Sequence, residues 1–184
     1  MKKRLLASLC FAALALTACD KKPNNEAPAS STTSSSAVST PASTQPATAV
    51  LSTNNAADIK NDLNQIETLS TSRSKEASAL QNKANEAAQK GDKAALNTIV
   101  AEMKTYIGRF NQDLDALNLK SSEVDALRGK IKESNNVGVE FSEASIANPP
   151  DKAKITELQN RVTALQKELV SETQALQNKA KTAA

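Results

Sequence analysis

A chain of 184 residues with 23 Lys and Arg, 20 Asp and Glu and no His has room for one helical domain with extensions. With no histidine, and cysteines only at Cys10 and Cys19, it lacks a Cys/His zinc set, imidazole acid–base chemistry and haem ligation by histidine. Three Phe, one Tyr and no Trp leave few rings for a ligand groove, so the chain is read as a non-enzyme that takes no cofactor and no metal.

Lys2, Lys3 and Arg4 precede an apolar run from Leu5 to Leu16. That run is too short for a membrane span and has the charge layout of a secretory signal. Leu16-Thr17-Ala18-Cys19 closes it, and these four residues resemble the lipobox of bacterial lipoproteins. The resemblance implies that residues 1–18 are a signal peptide cut before Cys19, that the Cys19 thiol carries a diacylglyceryl group, and that its new amino group is acylated as well. Each buried CH₂ contributes roughly 0.8 kcal/mol, and two chains suffice for stable anchoring where one does not. The implied partner is therefore a bilayer, held through lipid on Cys19, in the bacterial cell envelope and on the periplasmic side rather than the cell surface. In lipoprotein sorting, Asp20 resembles an inner-membrane retention residue, whereas Lys21 departs from the strongly retaining acidic or amide residues; the pair favours neither membrane. Without Lys2, Lys3 and Arg4, basic residues equal the 20 acidic ones in number. A neutral mature chain has no electrostatic footprint for nucleic acid.

Residues 19–54 are rich in Ser, Thr, Ala and Asn, with Pro23, Pro28, Pro41 and Pro46. Val38, Val50 and Leu51 are the bulky apolar residues there, too few to offset the entropy of ordering. The segment reads as a disordered tether, spanning roughly 30–35 Å on average.

From residue 55 the pattern becomes helical, and residues 55–184 read as one domain. Helix one is expected from Ala56 to about Lys90, with Ile59, Leu63, Ile66, Leu69, Ala77, Leu80 and Ala84 on one stripe. Gly91 is a C-terminal stop and Asp92 an N-cap. Helix two follows from Lys93 to about Asn118, with Leu96, Ile99, Met103, Ile107, Phe110, Leu114 and Leu117 spaced three or four apart. Ser122-Glu123-Val124-Asp125 resembles a loose capping box and opens helix three, which carries Val124, Leu127, Ile131, Val137 and Phe141 to about Ala147. Gly129, Gly138 and Ser134-Asn135-Asn136 weaken it, and a kink or break is expected near 134–138. Asn148-Pro149-Pro150-Asp151 ends it and caps helix four. Helix four reaches about Lys181, with Ile155, Leu158, Val162, Leu165, Leu169, Glu172 and Leu176 as a coiled-coil-like seam broken by one glutamate.

Helices one and four also match each other at an offset of 96 residues. Ala79-Leu80-Gln81-Asn82-Lys83-Ala84 recurs as Ala175-Leu176-Gln177-Asn178-Lys179-Ala180, which leans toward an ancestral helix duplication. Short connections make the helices alternate in direction, giving an all-α, antiparallel four-helix bundle with a thin core behind the tether. Tyr106 and Phe110 are expected in that core against Phe141. The paired carboxylates Asp113/Asp115 and Glu123/Asp125 are two apart on a helix and do not face each other. Ser74/Lys75 and Ser121/Lys120 lack the Ser-x-x-Lys context of nucleophilic catalysis. The expected role is a lipid-anchored bundle that binds or scaffolds another envelope protein, or further copies of itself. The alternatives are a periplasmic chaperone or stress factor and a surface-exposed host-binding lipoprotein.

Overall fold

The computed structural model describes residues 50–182. Cys19, Asp20, Lys21, the signal and most of the tether lie outside the described residues. Four helices account for most of the rest: α1 (Ala56–Lys90), α2 (Lys93–Asp115), α3 (Ser122–Ile146) and α4 (Lys152–Ala180). Among the described residues no helix is long and apolar enough to cross a membrane.

Local chemistry accounts for most of the helix ends. The Asn55 side chain accepts the N–H groups of Ala57 and Asp58, satisfying two of the donors that a helix start leaves without intrahelical partners. At the other end of α1, Gly91 adopts φ 67°, which costs glycine little. Its N–H donates to the Ala88 carbonyl and that of Asp92 to the Ala87 carbonyl, the two bonds of a Schellman motif. Asp92 and Asp151 then cap α2 and α4 through Ala95 N–H and through the N–H groups of Ala153 and Lys154.

Adjacent helices run antiparallel. Along α1 and α2, Lys83 pairs with Glu102 while the earlier Arg73 pairs with the later Asp113. Along α2 and α3, Lys104 pairs with Glu143 and Lys132 with Asp115. α1 meets α2, α3 and α4, while α3 joins α2 to α4. One end of the bundle is a shared core of Ile59, Ile66, Leu114, Val124, Leu127, Ile131, Leu169 and Leu176, drawn from all four helices. Farther along, Leu80, Met103, Tyr106, Ile107 and Val139 join α1, α2 and α3; beyond them the core divides, with Ala84, Ala87 and Ile99 packing α1 on α2 and Val137, Ala144, Leu158 and Leu165 packing α3 on α4.

Four expectations are corrected. α2 stops at Asp115 rather than near Asn118; Arg128 Nη1 donates to the Leu114 and Leu117 carbonyls (3.2 and 3.3 Å) and covers that helix end. The N-cap of α3 is Ser121, without a side-chain cap bond, so Ser122 to Asp125 do not form a capping box. α3 runs without a break through 134–138. There Asn111 Nδ2 donates to Asn136 Oδ1 (3.0 Å) and Asn135 Nδ2 to Asn111 Oδ1 (2.9 Å), bracing the weak segment against α2. Finally, Tyr106 stacks on Phe110 with ring centroids 6.3 Å apart, but Phe141 packs elsewhere, on the α3–α4 core.

The two matching helices hold matching positions. Leu80 and Leu176 are buried, as are Ala84 and Ala180. Lys83 pairs with Glu102 on α2 and Lys179 with Glu123 on α3. Glu76 likewise meets Arg109 on α2, and Glu172 meets Lys130 on α3.

Candidate functional site

The most densely bonded polar site lies where the segment leading from Cys19 meets the bundle. Asp62 projects from α1 into the shared core end and has no exposed surface. Burying a charged or polar group is tolerated only when hydrogen bonds replace water. Asp62 Oδ2 accepts Lys120 N–H (2.8 Å), Ser121 N–H (2.7 Å) and Ser121 Oγ–H (2.8 Å), and Gln65 Nε2 donates to Oδ1 at 3.3 Å. This carboxylate pins the α2–α3 turn to α1.

The pinned turn in turn receives residues 52–54, which the sequence reading assigns to the tether. Ser52 and Ser121 lie side by side in an isolated parallel bridge. Ser52 N–H and Oγ–H both donate to the Lys120 carbonyl (2.7 and 3.1 Å), and the Ser52 carbonyl accepts Ser122 N–H at 2.9 Å. Ser52 thereby fills the capping role at α3 that the Ser121 hydroxyl, bound to Asp62, leaves vacant. Asn54, at φ 57°, reverses the chain into α1. Its N–H donates to Glu123 Oε1 (2.8 Å), and Lys179 Nζ donates to Asn54 Oδ1 (2.9 Å). The Asn54 N–H holds the Glu123 carboxyl below the usual carboxylate range, with smaller help from Ser122 and Lys179.

A second polar cluster flanks a shallow depression of about 470 Å³ lined by Leu69, Ser72, Arg73, Asp113, Ala116 and Leu117. Arg73 Nε donates to Asp113 Oδ2 at 3.0 Å, and Glu76 sits between Arg73 and Arg109. The hydrogen bond that Arg73 donates to Asp113 raises the Arg73 pKa, and Tyr106 Oη donates to the Arg73 carbonyl at 3.3 Å.

The residues weighed from sequence as possible chemistry stand apart. Asp113 pairs with Arg73 and Asp115 with Lys132; Glu123 bonds Asn54, while Asp125 pairs with Arg128. Ser121 is fully buried on Asp62, and the Ser74 hydroxyl donates to the Thr71 carbonyl. The Glu172 carboxylate lies at the flank of the α4 seam on Lys130, while Thr173 takes the buried position beside it. Asp62 was missed from sequence. Its one signal is position: Ile59, Asp62 and Ile66 follow the three-four spacing of the apolar stripe.

The described residues define an all-α helical bundle whose N-terminal arm is fastened to one end, and comparison defines it further. Residues 60–181 match the family described as "Uncharacterised lipoprotein PM1805", and the chain belongs to that family. Its members are lipoproteins, which brings a lipid anchor and a membrane-attached place in the envelope. No curated protein and no solved structure matches the chain.

Proposed function

We propose that this lipoprotein is a non-enzymatic binding or scaffolding element, anchored by lipid on Cys19 after removal of residues 1–18. In this reading the bundle lies on the periplasmic side and contacts another envelope protein through its exposed helix faces. The observation that carries the reading is the use to which the polar groups are put. Of the carboxylates and hydroxyls considered for chemistry, Asp113, Asp115, Glu123 and Ser121 bond other elements, Asp125 and Ser74 bond within their own helices, and they do not converge on one site. A binding surface needs no such convergence, whereas an active site does.

The chaperone alternative requires a broad exposed apolar groove. Among the described residues the large apolar side chains that stand exposed are Val50 and Val170, which disfavours that reading. In-cell photo-cross-linking from Gln112, Asn160 and Val170, exposed positions on α2 and α4, tests the proposal. A dominant heterologous envelope protein supports it, and recovery of the chain's own copies points to a self-assembling scaffold. Absence of cross-links from every position counts against both. The anchor has its own test: Cys19→Ala abolishes acyl labelling and leaves unprocessed precursor. Protease treatment of intact cells separates the two sides of the envelope, since a periplasmic domain is cut only after the outer membrane is breached.

A further inference from the structure

The arm and the bundle are joined by two routes. The covalent route passes from Ser52 through the reversal at Asn54 into the first turn of α1. The second is non-covalent: from Ser52 across two backbone hydrogen bonds to the α2–α3 turn, then through Ser121 into Asp62. Asp62 lies about two turns inside the start of α1, so the second route enters the helix in its body.

We propose that residues 52–54 are a strain-relief clip: a pull arriving along the lipid-linked arm passes through the α2–α3 turn and Asp62 into the bundle core, and does not peel α1 from its first residue. The proposal rests on the lipid-anchored binding reading above, because tension arises only when the chain is held at both the membrane and a partner.

The physical case is one of bond geometry. Helix ends fray because their terminal groups lack intrahelical partners, and a pull on the end breaks helical bonds one after another. The bonds from Ser52 to Lys120 and from Ser122 to Ser52 flank one residue of a parallel bridge and slant between the two segments, so both are loaded by a pull along the strand. A pull along the strand must break both together. The Asn54–Glu123 and Lys179–Asn54 bonds add a second point of attachment on α3 and α4. The receiving turn cannot slide without stripping three donors from a buried carboxylate, which leaves that group unsatisfied.

The test uses the whole mature chain, residues 19–184, produced without its signal so that Cys19 keeps a free thiol for a DNA handle. With the C-terminus held, the lifetime under constant force is measured for the parent and for Ser52→Pro, which removes both the N–H and the hydroxyl donor. The expected result is a lifetime about tenfold shorter for Ser52→Pro. In a second pair of chains Cys19 is changed to Ser and the handle is placed at Asn61→Cys, beyond the clip. There, Ser52→Pro is expected to shorten the lifetime far less. An equal shortening from both attachment points would make residues 52–54 an ordinary stabilising cap and overturn the proposal, as would no shortening from Cys19. Because no partner enters the measurement, a failure of the binding reading appears in cross-linking and leaves this result intact.

Discussion

Asp62 and Thr173 show opposite outcomes for a polar side chain taken out of water. Asp62 recovers its lost hydrogen bonds from three donors of the α2–α3 turn. Truncating it orphans two backbone N–H groups and a hydroxyl in the protein interior. Asp62→Ala is therefore expected to destabilise the domain by about 3 kcal/mol in urea unfolding. The Thr173 hydroxyl is also buried, in the seam of α4, but has no hydrogen-bond partner. Thr173→Val keeps the shape and removes the unsatisfied group, and should stabilise by about 1 kcal/mol in the same assay. Glu123 makes stability depend on acid. Its carboxyl is held low chiefly by Asn54 N–H, so the folded state binds that proton less readily than the unfolded chain. The contribution is fully present above the unfolded pKa, near 4.5, and is lost as pH falls through the lower folded value. Urea midpoints measured from about pH 6 down to about pH 3 should fall less for Glu123→Gln than for the parent.

At the scale of the helix, α3 is weak in composition yet continuous, and its glycines identify what holds it. An alanine Cβ at Gly129 meets nothing within 4 Å, and the position is exposed. Gly129→Ala should thus stabilise by about 1 kcal/mol, read as a higher urea midpoint with unchanged slope. The same change at Gly91 has the opposite sign, because φ 67° there excludes a side chain at low cost. The helix limits whose signals were read in the sequence are those set by adjacent residues: Gly91 for the end of α1, Asp92 for the start of α2, Asp151 for the start of α4. The cap of α3 and its continuity through 134–138 were not legible because distant residues decide them. Ser52 supplies the capping carbonyl, Asp62 occupies the Ser121 hydroxyl, and Asn111 bonds both Asn135 and Asn136. Local propensity favours a break there, and tertiary hydrogen bonds override it. The clip was illegible for a related reason. Ser52, Thr53 and Asn54 have the composition of the tether, and pairing partners some 70 residues later order them.

At the scale of the whole molecule, resistance to opening should follow the way the core is shared. Around Ile59, Ile66, Leu114, Leu127, Ile131 and Leu169 every helix contributes, and the pinned turn and the clip close the same end. Removing any one helix there exposes the other three, so this region opens only with the whole fold. Beyond the cluster of Leu80, Met103, Tyr106, Ile107 and Val139, the last turns of α1 pack on the start of α2 through Ala84, Ala87 and Ile99. Small side chains bury little apolar area, and each buried methylene is worth only about 0.8 kcal/mol. Opening the last turns of α1 together with the start of α2 disturbs neither the shared core nor the α3–α4 pair. Native-state hydrogen exchange should therefore resolve two classes of amide. Those of Leu127, Ile131 and Leu114 should exchange at the free energy of global unfolding and shift with denaturant at the full slope. Those of Ala87, Ala88 and Ile99 should exchange through a smaller opening with little denaturant dependence. A uniform exchange free energy along α1 would show that the alanine-packed end is as cooperative as the four-helix end, and that the division of the core has no dynamic consequence. The expected gradient instead places the adaptable surface farthest from the lipid-linked arm, at the end of a bundle about 50 Å long.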